Sequence, residues 1–154
     1  MYYVQPAGII VIKTTVLDQL WPVYVASAIW EGTKINWVNY KTGIKDLYFK
    51  MEAGNKTATI AIEMTHAEAQ RQTVFFNQFV QCRKILEDAL QEKWQWALHA
   101  PDVHNKITSR IYASQTGVNV FNKEDWPAII SFFKPRIIAL DAFWVQVNNL
   151  FAYL

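Results

Sequence analysis

The sequence predicts an α+β fold: an antiparallel sheet of about five strands, flanked by two long helices and a short N-terminal one. Three observations predict it. Apolar and polar residues alternate in three runs between Lys34 and Met64. Apolar residues recur at helical spacing over two long stretches, near 65–92 and near 122–150. Two further alternating runs lie between those stretches. The implied order is a three-strand meander, a helix, a two-strand hairpin and a long C-terminal helix, all in one domain spanning 1–154.

The N-terminal third carries the weakest pattern. Pro6, Gly8 and Pro22 interrupt it, and proline disfavours helical backbone at the residue before it. Leu17, Leu20, Trp21, Tyr24 and Val25 still hold helical spacing, which predicts a short helix near 14–28, bent at Pro22.

The meander is read from a period of two, because successive side chains leave a pleated strand on opposite faces. In its first run Ile35 and Trp37 oppose Asn36, Val38 and Tyr40. In the second, Leu47, Phe49 and Met51 oppose Asp46, Tyr48, Lys50 and Glu52. In the third, Ala58, Ile60, Ile62 and Met64 oppose Thr57, Thr59, Ala61 and Glu63. One face is apolar and the other mixed, as in an antiparallel sheet packed on one side. Lys41-Thr42-Gly43 and Ala53-Gly54-Asn55 supply the turns, since Gly and Asn accept positive φ readily.

Thr65-His66-Ala67-Glu68 has the form of a capping box, so a helix is expected from there to about Glu92. Its apolar stripe is Phe75, Phe79, Cys82, Leu86, Ala89 and Leu90. Trp94, Trp96 and Leu98 then alternate with polar or small residues, as do Ile107, Ser109, Ile111 and Ala113, and the polar stretch 100–105 joins these two strands. Asn122 is placed to cap the last helix, with Glu124 and Asp125 near its positive end and Pro127 in its first turn. Apolar residues cover most of that helix, leaving Ser131, Lys134, Asp141 and Asn148 as a polar stripe. A helix of roughly 28 residues would span about 42 Å, and Pro135 inside it would let it wrap round the core. Its apolar surplus fits either one well-buried helix or a surface for homo-oligomer assembly.

Composition narrows the function classes. Hydrophobic content of 52% against 18% charged residues is that of a folded chain, not a disordered one. A net charge of +2 does not by itself imply nucleic acid or an acidic membrane. The single cysteine, Cys82, has no partner for an internal disulfide and reads as a small core residue. The apolar stretch 7–16 is too short for a membrane span and has no basic segment before it. A cytoplasmic protein with no membrane partner is the expectation. With five glycines, no phosphate-cradling loop, dinucleotide fingerprint, nucleophile elbow or paired-cysteine zinc site can be found, and no cofactor is expected.

Several phrases together, KINWVNYKTGIKDLYFKM, ATIAIEMTH, ITSRIY and GVNVFNKEDWPAIISFFKPRIIALDAFW, resemble a family of uncharacterised bacterial proteins with domain of unknown function 4268. The likeness covers roughly 24–150 and is most specific from Gly117 to Trp144, while the segment 1–23 is atypical. The resemblance implies an α+β domain without an assigned activity or site. In longer proteins a similar domain often stands beside a nuclease-like one.

Candidate sites follow from pattern. The order helix, meander, helix, strand is that of nucleases of the restriction-endonuclease type, in which two strand carboxylates hold a divalent metal. Asp46 and Glu63 are the corresponding pair here, but Thr65 stands where such enzymes carry lysine, so a degenerate core of that kind is the stronger form of this idea. His99, Asp102 and His104 lie close enough in sequence to be metal ligands, although turn residues commonly serve backbone hydrogen bonding instead. Tyr40, Tyr48, Lys50, Arg110 and Tyr112 are expected to share the mixed sheet face. Rings beside cations suit single-stranded nucleic acid, and Tyr and Arg are also enriched in protein interfaces. The reading leans away from an enzyme and towards an accessory or interaction domain that contacts other proteins or itself; nucleic-acid binding is the alternative.

Overall fold

A computed structural model of the chain describes residues 2–4, 9–12, 40–102 and 104–154. Its described strands are β1 (Tyr2–Val4), β2 (Ile9–Ile12), β3 (Leu47–Gly54), β4 (Thr57–Met64), β5 (Gln95–Pro101) and β6 (Ile107–Thr116). Its described α-helices are α1 (Ala69–Gln81), α2 (Arg83–Leu90) and α3 (Trp126–Val147). The fold is α+β, and the strands form one antiparallel sheet in the order β1-β2-β3-β4-β6-β5. The four longer strands, β3 to β6, make its body.

Register follows the alternation. Phe49 lies opposite Ile62, which lies opposite Ile111; Met51 lies opposite Ile60, and Leu47 opposite Met64. All seven of these side chains are buried. The helices cover this face: Phe49 meets Trp144 of α3 edge-on at 5.7 Å, and Phe79 of α1 stacks on Phe143, Trp144 and Phe151 at 6.3, 6.4 and 4.4 Å. Such ring clusters bury much apolar area per residue, so this aromatic layer is the centre of the core.

Local chemistry sets the element ends. Gly43 takes φ 81°, and the Thr42 hydroxyl accepts from the Ile44 amide and donates to the Leu47 carbonyl, which tightens the turn into β3. Asn122 caps a 3-10 turn, Lys123–Asp125, by accepting from the Glu124 amide at 3.1 Å. The α3 helix follows and runs through Pro135. Proline has no N–H for the carbonyl four residues earlier, that of Ser131. Ser131 and Pro135 are both exposed, so water can serve that carbonyl. At the sheet's other end β5 carries a bulge between Ala97 and Ala100, with His99 at φ 50° and its amide donating to Ser109 Oγ at 3.0 Å.

The structure amends several sequence expectations. The stretch read as one helix from Thr65 is two helices, broken at Cys82, whose φ −90° and ψ 6° interrupt the helical path. The capping box does not form. The α1 helix begins at Ala69, Glu68 makes no side-chain cap, and the Thr65 hydroxyl and amide both donate to the Asp46 carbonyl. The last helix has 22 residues and not roughly 28, because 3-10 turns take up Lys123–Asp125 and Asn148–Leu150. The short helix expected near 14–28 and the first meander strand over 35–39 lie outside the described residues. β1 and β2 were not expected; β2 pairs with the far end of β3, Ile9 opposite Gly54 and Ile10 opposite Ala53. No helix among the described residues is long and apolar enough to cross a membrane.

Candidate functional site

The face of the sheet turned away from the helices carries a grid of side chains in three rows. Tyr48, Glu63 and Arg110 stand opposite one another across β3, β4 and β6. The next row is Lys50, Ala61 and Tyr112, and the third is Glu52, Thr59 and Ser114. Neighbouring strands lie about 4.8 Å apart, so the outer members of a row have their backbones about 10 Å apart. Ala61, the smallest side chain, sits at the centre and is buried, which leaves a shallow saddle between Lys50 and Tyr112.

Each cation on this face stands over a ring. Lys50 Nζ is 5.3 Å from the Tyr48 centroid, and the Arg110 guanidinium carbon is 4.8 Å from that of Tyr112. Lys50 Nζ also lies 3.4 Å from Glu63 Oε2; its side chain is 39% exposed and that of Glu63 only 8%. Tyr112 donates to Gln95 Oε1 of β5 at 2.9 Å, and the Thr59 and Ser114 hydroxyls share a hydrogen bond at 2.8 Å. Glu52 is held above the ordinary carboxylate range, first by burial and then by the charge of Glu63, with Lys50 and Arg110 pulling the other way. Two cations, Lys50 and Arg110, thus face two carboxylates, Glu52 and Glu63, and the formal charge of the grid is zero.

Of the five residues expected on this face, Tyr48, Lys50, Arg110 and Tyr112 are brought together and Tyr40 is not. Tyr40 stacks on Phe49 at 5.1 Å and donates to Asp141 of α3, on the helical side of the sheet. The expectation extended a strand's alternation through a residue that lies outside any strand. Glu52, Thr59, Ala61 and Ser114 belong to the grid, with Gln95 beside it opposite Tyr112, and were not singled out as site residues; Glu52 was legible as the next residue in phase with Tyr48 and Lys50.

The Asp46–Glu63 pair takes other roles. Asp46 adopts φ 61° in the turn before β3, outside the regular strand, and Glu63 is paired with Lys50. His99 Nε2 lies 2.9 Å from the Ala69 carbonyl and 3.1 Å from the Thr73 hydroxyl. Asp102 Oδ1 accepts from the His104 and Lys106 amides, closing the β5–β6 turn. Among the described residues no group of three or more His, Cys, Asp or Glu side chains could hold a metal ion.

A buried polar cluster under the sheet also escaped the sequence reading. Gln72, 2% exposed, donates to the carbonyls of His66 and Ile107 and accepts from Ser109, which is fully buried. His66 stacks on Phe75 at 4.5 Å with both ring nitrogens buried and unpartnered, and burial holds its pKa below the ordinary value. These groups fasten the start of α1 to β6. They present no exposed reactive atom.

The family model for DUF4268, a domain of unknown function, matches residues 18–148. No curated protein and no solved structure matches the chain.

Proposed function

The chain belongs to the DUF4268 family, and on that premise we propose that it is a non-catalytic interaction domain whose mixed sheet face contacts another protein surface. The observation that carries this reading is the grid itself: two tyrosines, an arginine and a lysine on one accessible face, with their charge cancelled by two carboxylates. Tyr and Arg are enriched where proteins meet. A surface that follows a phosphate backbone needs an excess of positive charge, and here Glu52 and Glu63 remove it. The protein reading is therefore preferred to the nucleic-acid one. A metal-dependent nuclease, even a degenerate one, draws no support from Asp46, which lies in a turn, or from Glu63, which is paired with Lys50.

Assembly of copies through α3 has narrower support. Nine of its side chains are buried in the core, and the exposed large apolar ones at that end are Val145, Leu150 and Tyr153. A reducing, cytoplasmic setting suits the buried free thiol of Cys82.

Size-exclusion chromatography with light scattering, at low and moderate salt and with the absorbance ratio recorded, tests the proposal. An oligomer free of nucleic acid that returns to monomer in Tyr48→Ala, but not in Val145→Glu, supports the sheet face. The reverse pattern moves the contact to α3. A monomer carrying nucleic acid that salt removes overturns the proposal. A clean monomer points to a different chain as partner, to be trapped by a photoreactive group placed at position 48.

A further inference from the structure

We infer that Arg110 is the anchor of this face and that it receives a carboxylate side chain from an acidic segment of the partner protein. The inference rests on the reading of the face as a protein contact. In the sheet register Glu63 lies directly opposite Arg110, where a cross-strand ion pair would form. Instead the Glu63 carboxylate reaches to the other side and meets Lys50 at 3.4 Å. Arg110 is left over the Tyr112 ring at 4.8 Å, with no hydrogen bond or ion pair among the described residues. The ring contact uses none of the five N–H donors of a guanidinium. A cation held in place with its donors unused matches a planar, two-oxygen acceptor.

Neighbouring groups define the class of that acceptor. Lys50 is paired with Glu63, so Arg110 is the one cation of the grid without a bonded partner among the described residues, and no track of charge leads away from it. Glu52 stands two rows from Arg110 and feels it without bonding to it. One isolated fork over the Tyr112 ring, with exposed Tyr48 at the far end of its row, suits an acidic side chain with an apolar or aromatic residue nearby in sequence. It does not suit a chain of phosphates.

The test titrates the 154-residue chain with three probes: a short glutamate-rich peptide containing one tyrosine, the same peptide with glutamine for glutamate, and single-stranded oligothymidylate. The readout is the Arg110 Nε–Hε nuclear magnetic resonance, together with the backbone amides of β3 and β6. The glutamate peptide is expected to shift the Arg110 resonance saturably. The glutamine peptide should bind about tenfold more weakly, the difference a charged hydrogen-bonding pair makes. Arg110→Gln should bring the glutamate peptide down to the glutamine level, Arg110→Lys should recover only part of the loss, and Lys84→Gln, on the exposed side of α2 beside Asp88, should change binding less than twofold. Equal binding of the two peptides overturns the acidic partner while leaving the protein-contact reading in place. If oligothymidylate shifts the face at lower concentration than either peptide, or neither peptide perturbs it, both readings fall. Should the Arg110 variants fail to fold, the two peptides on the unaltered protein decide the matter.

Discussion

Ser109 Oγ donates to Gln72 Oε1 at 2.9 Å, joining a strand and a helix inside the core where both side chains are buried. The same glutamine donates to the His66 and Ile107 carbonyls, and the same serine accepts the His99 amide. One amide side chain therefore serves two backbone carbonyls and a hydroxyl.

Removing either partner should be expensive in proportion to what it strands. Ser109→Ala leaves the Gln72 oxygen and the His99 amide unpaired, and about 1–3 kcal/mol of stability is expected to go. Gln72→Ala strands two carbonyls and leaves a void, so its loss should exceed that of Ser109→Ala. Urea unfolding of the two variants measures both. Equal, near-zero losses would mean that the cluster does not fasten α1 to β6.

Acid should weaken the fold through His66. Burial holds its pKa below the unfolded value of 6.5, and Asp46 opposes this only in part. The unfolded chain thus takes up a proton before the folded one does. Stability from this residue is unaffected above pH 6.5, falls as pH drops below it, and levels off below the folded pKa. One proton allows a slope of at most about 1.4 kcal/mol per pH unit. His66→Phe keeps the stacking on Phe75 and should flatten this segment of the pH profile, as followed by thermal unfolding between pH 7 and about 5.

Lys50 and Glu63 should be coupled. Lys50→Gln leaves a buried carboxylate without its cation and is expected to lose about 1–3 kcal/mol. The double variant Lys50→Gln with Glu63→Gln should regain much of that, because no charge is then stranded. A double-mutant cycle by denaturant unfolding reads the coupling directly, and additive losses would contradict it.

A fourth expectation concerns the bidentate contact of Arg136 with Glu92, at 2.7 and 3.0 Å, which ties α3 to the segment entering β5. The guanidinium also lies 4.2 Å from the Phe132 ring centroid and donates to the Phe132 carbonyl. Arg136→Lys keeps the charge and loses the fork, so it should cost nearly as much as Arg136→Ala, about 1–2 kcal/mol for so partly exposed a pair. Chemical denaturation of the two variants compares them.

What could be read in advance follows from which signals are local. The alternation of β3 and β4 depends only on each residue's own phase, so the buried row Leu47, Phe49 and Met51 and its partner row were legible. The break at Cys82 was not, because its neighbours keep helical spacing on both sides. β2 reads IIVI, a short apolar run without alternation, which periodicity cannot assign. Of the grid, Tyr48 with Lys50 and Arg110 with Tyr112 were visible as residues in phase on their own strands. That Glu63 turns to Lys50 and away from Arg110 depends on the pairing of three strands, and no single run encodes it. Gln72 and Ser109 did leave a trace, each being a polar residue in step with an apolar stripe.

The bulge in β5 has a consequence for how the molecule behaves in a crowded solution. Among the described strands β5 ends the sheet, and a flat edge strand would offer an open ladder of amides and carbonyls to any extended chain nearby. His99, turned into the left-handed region and held by Ser109, bends that ladder halfway along, and Pro101 removes a donor near its end. Recruitment of a foreign strand would have to begin on a broken template. The chain is thereby guarded against fibrillar growth from this side.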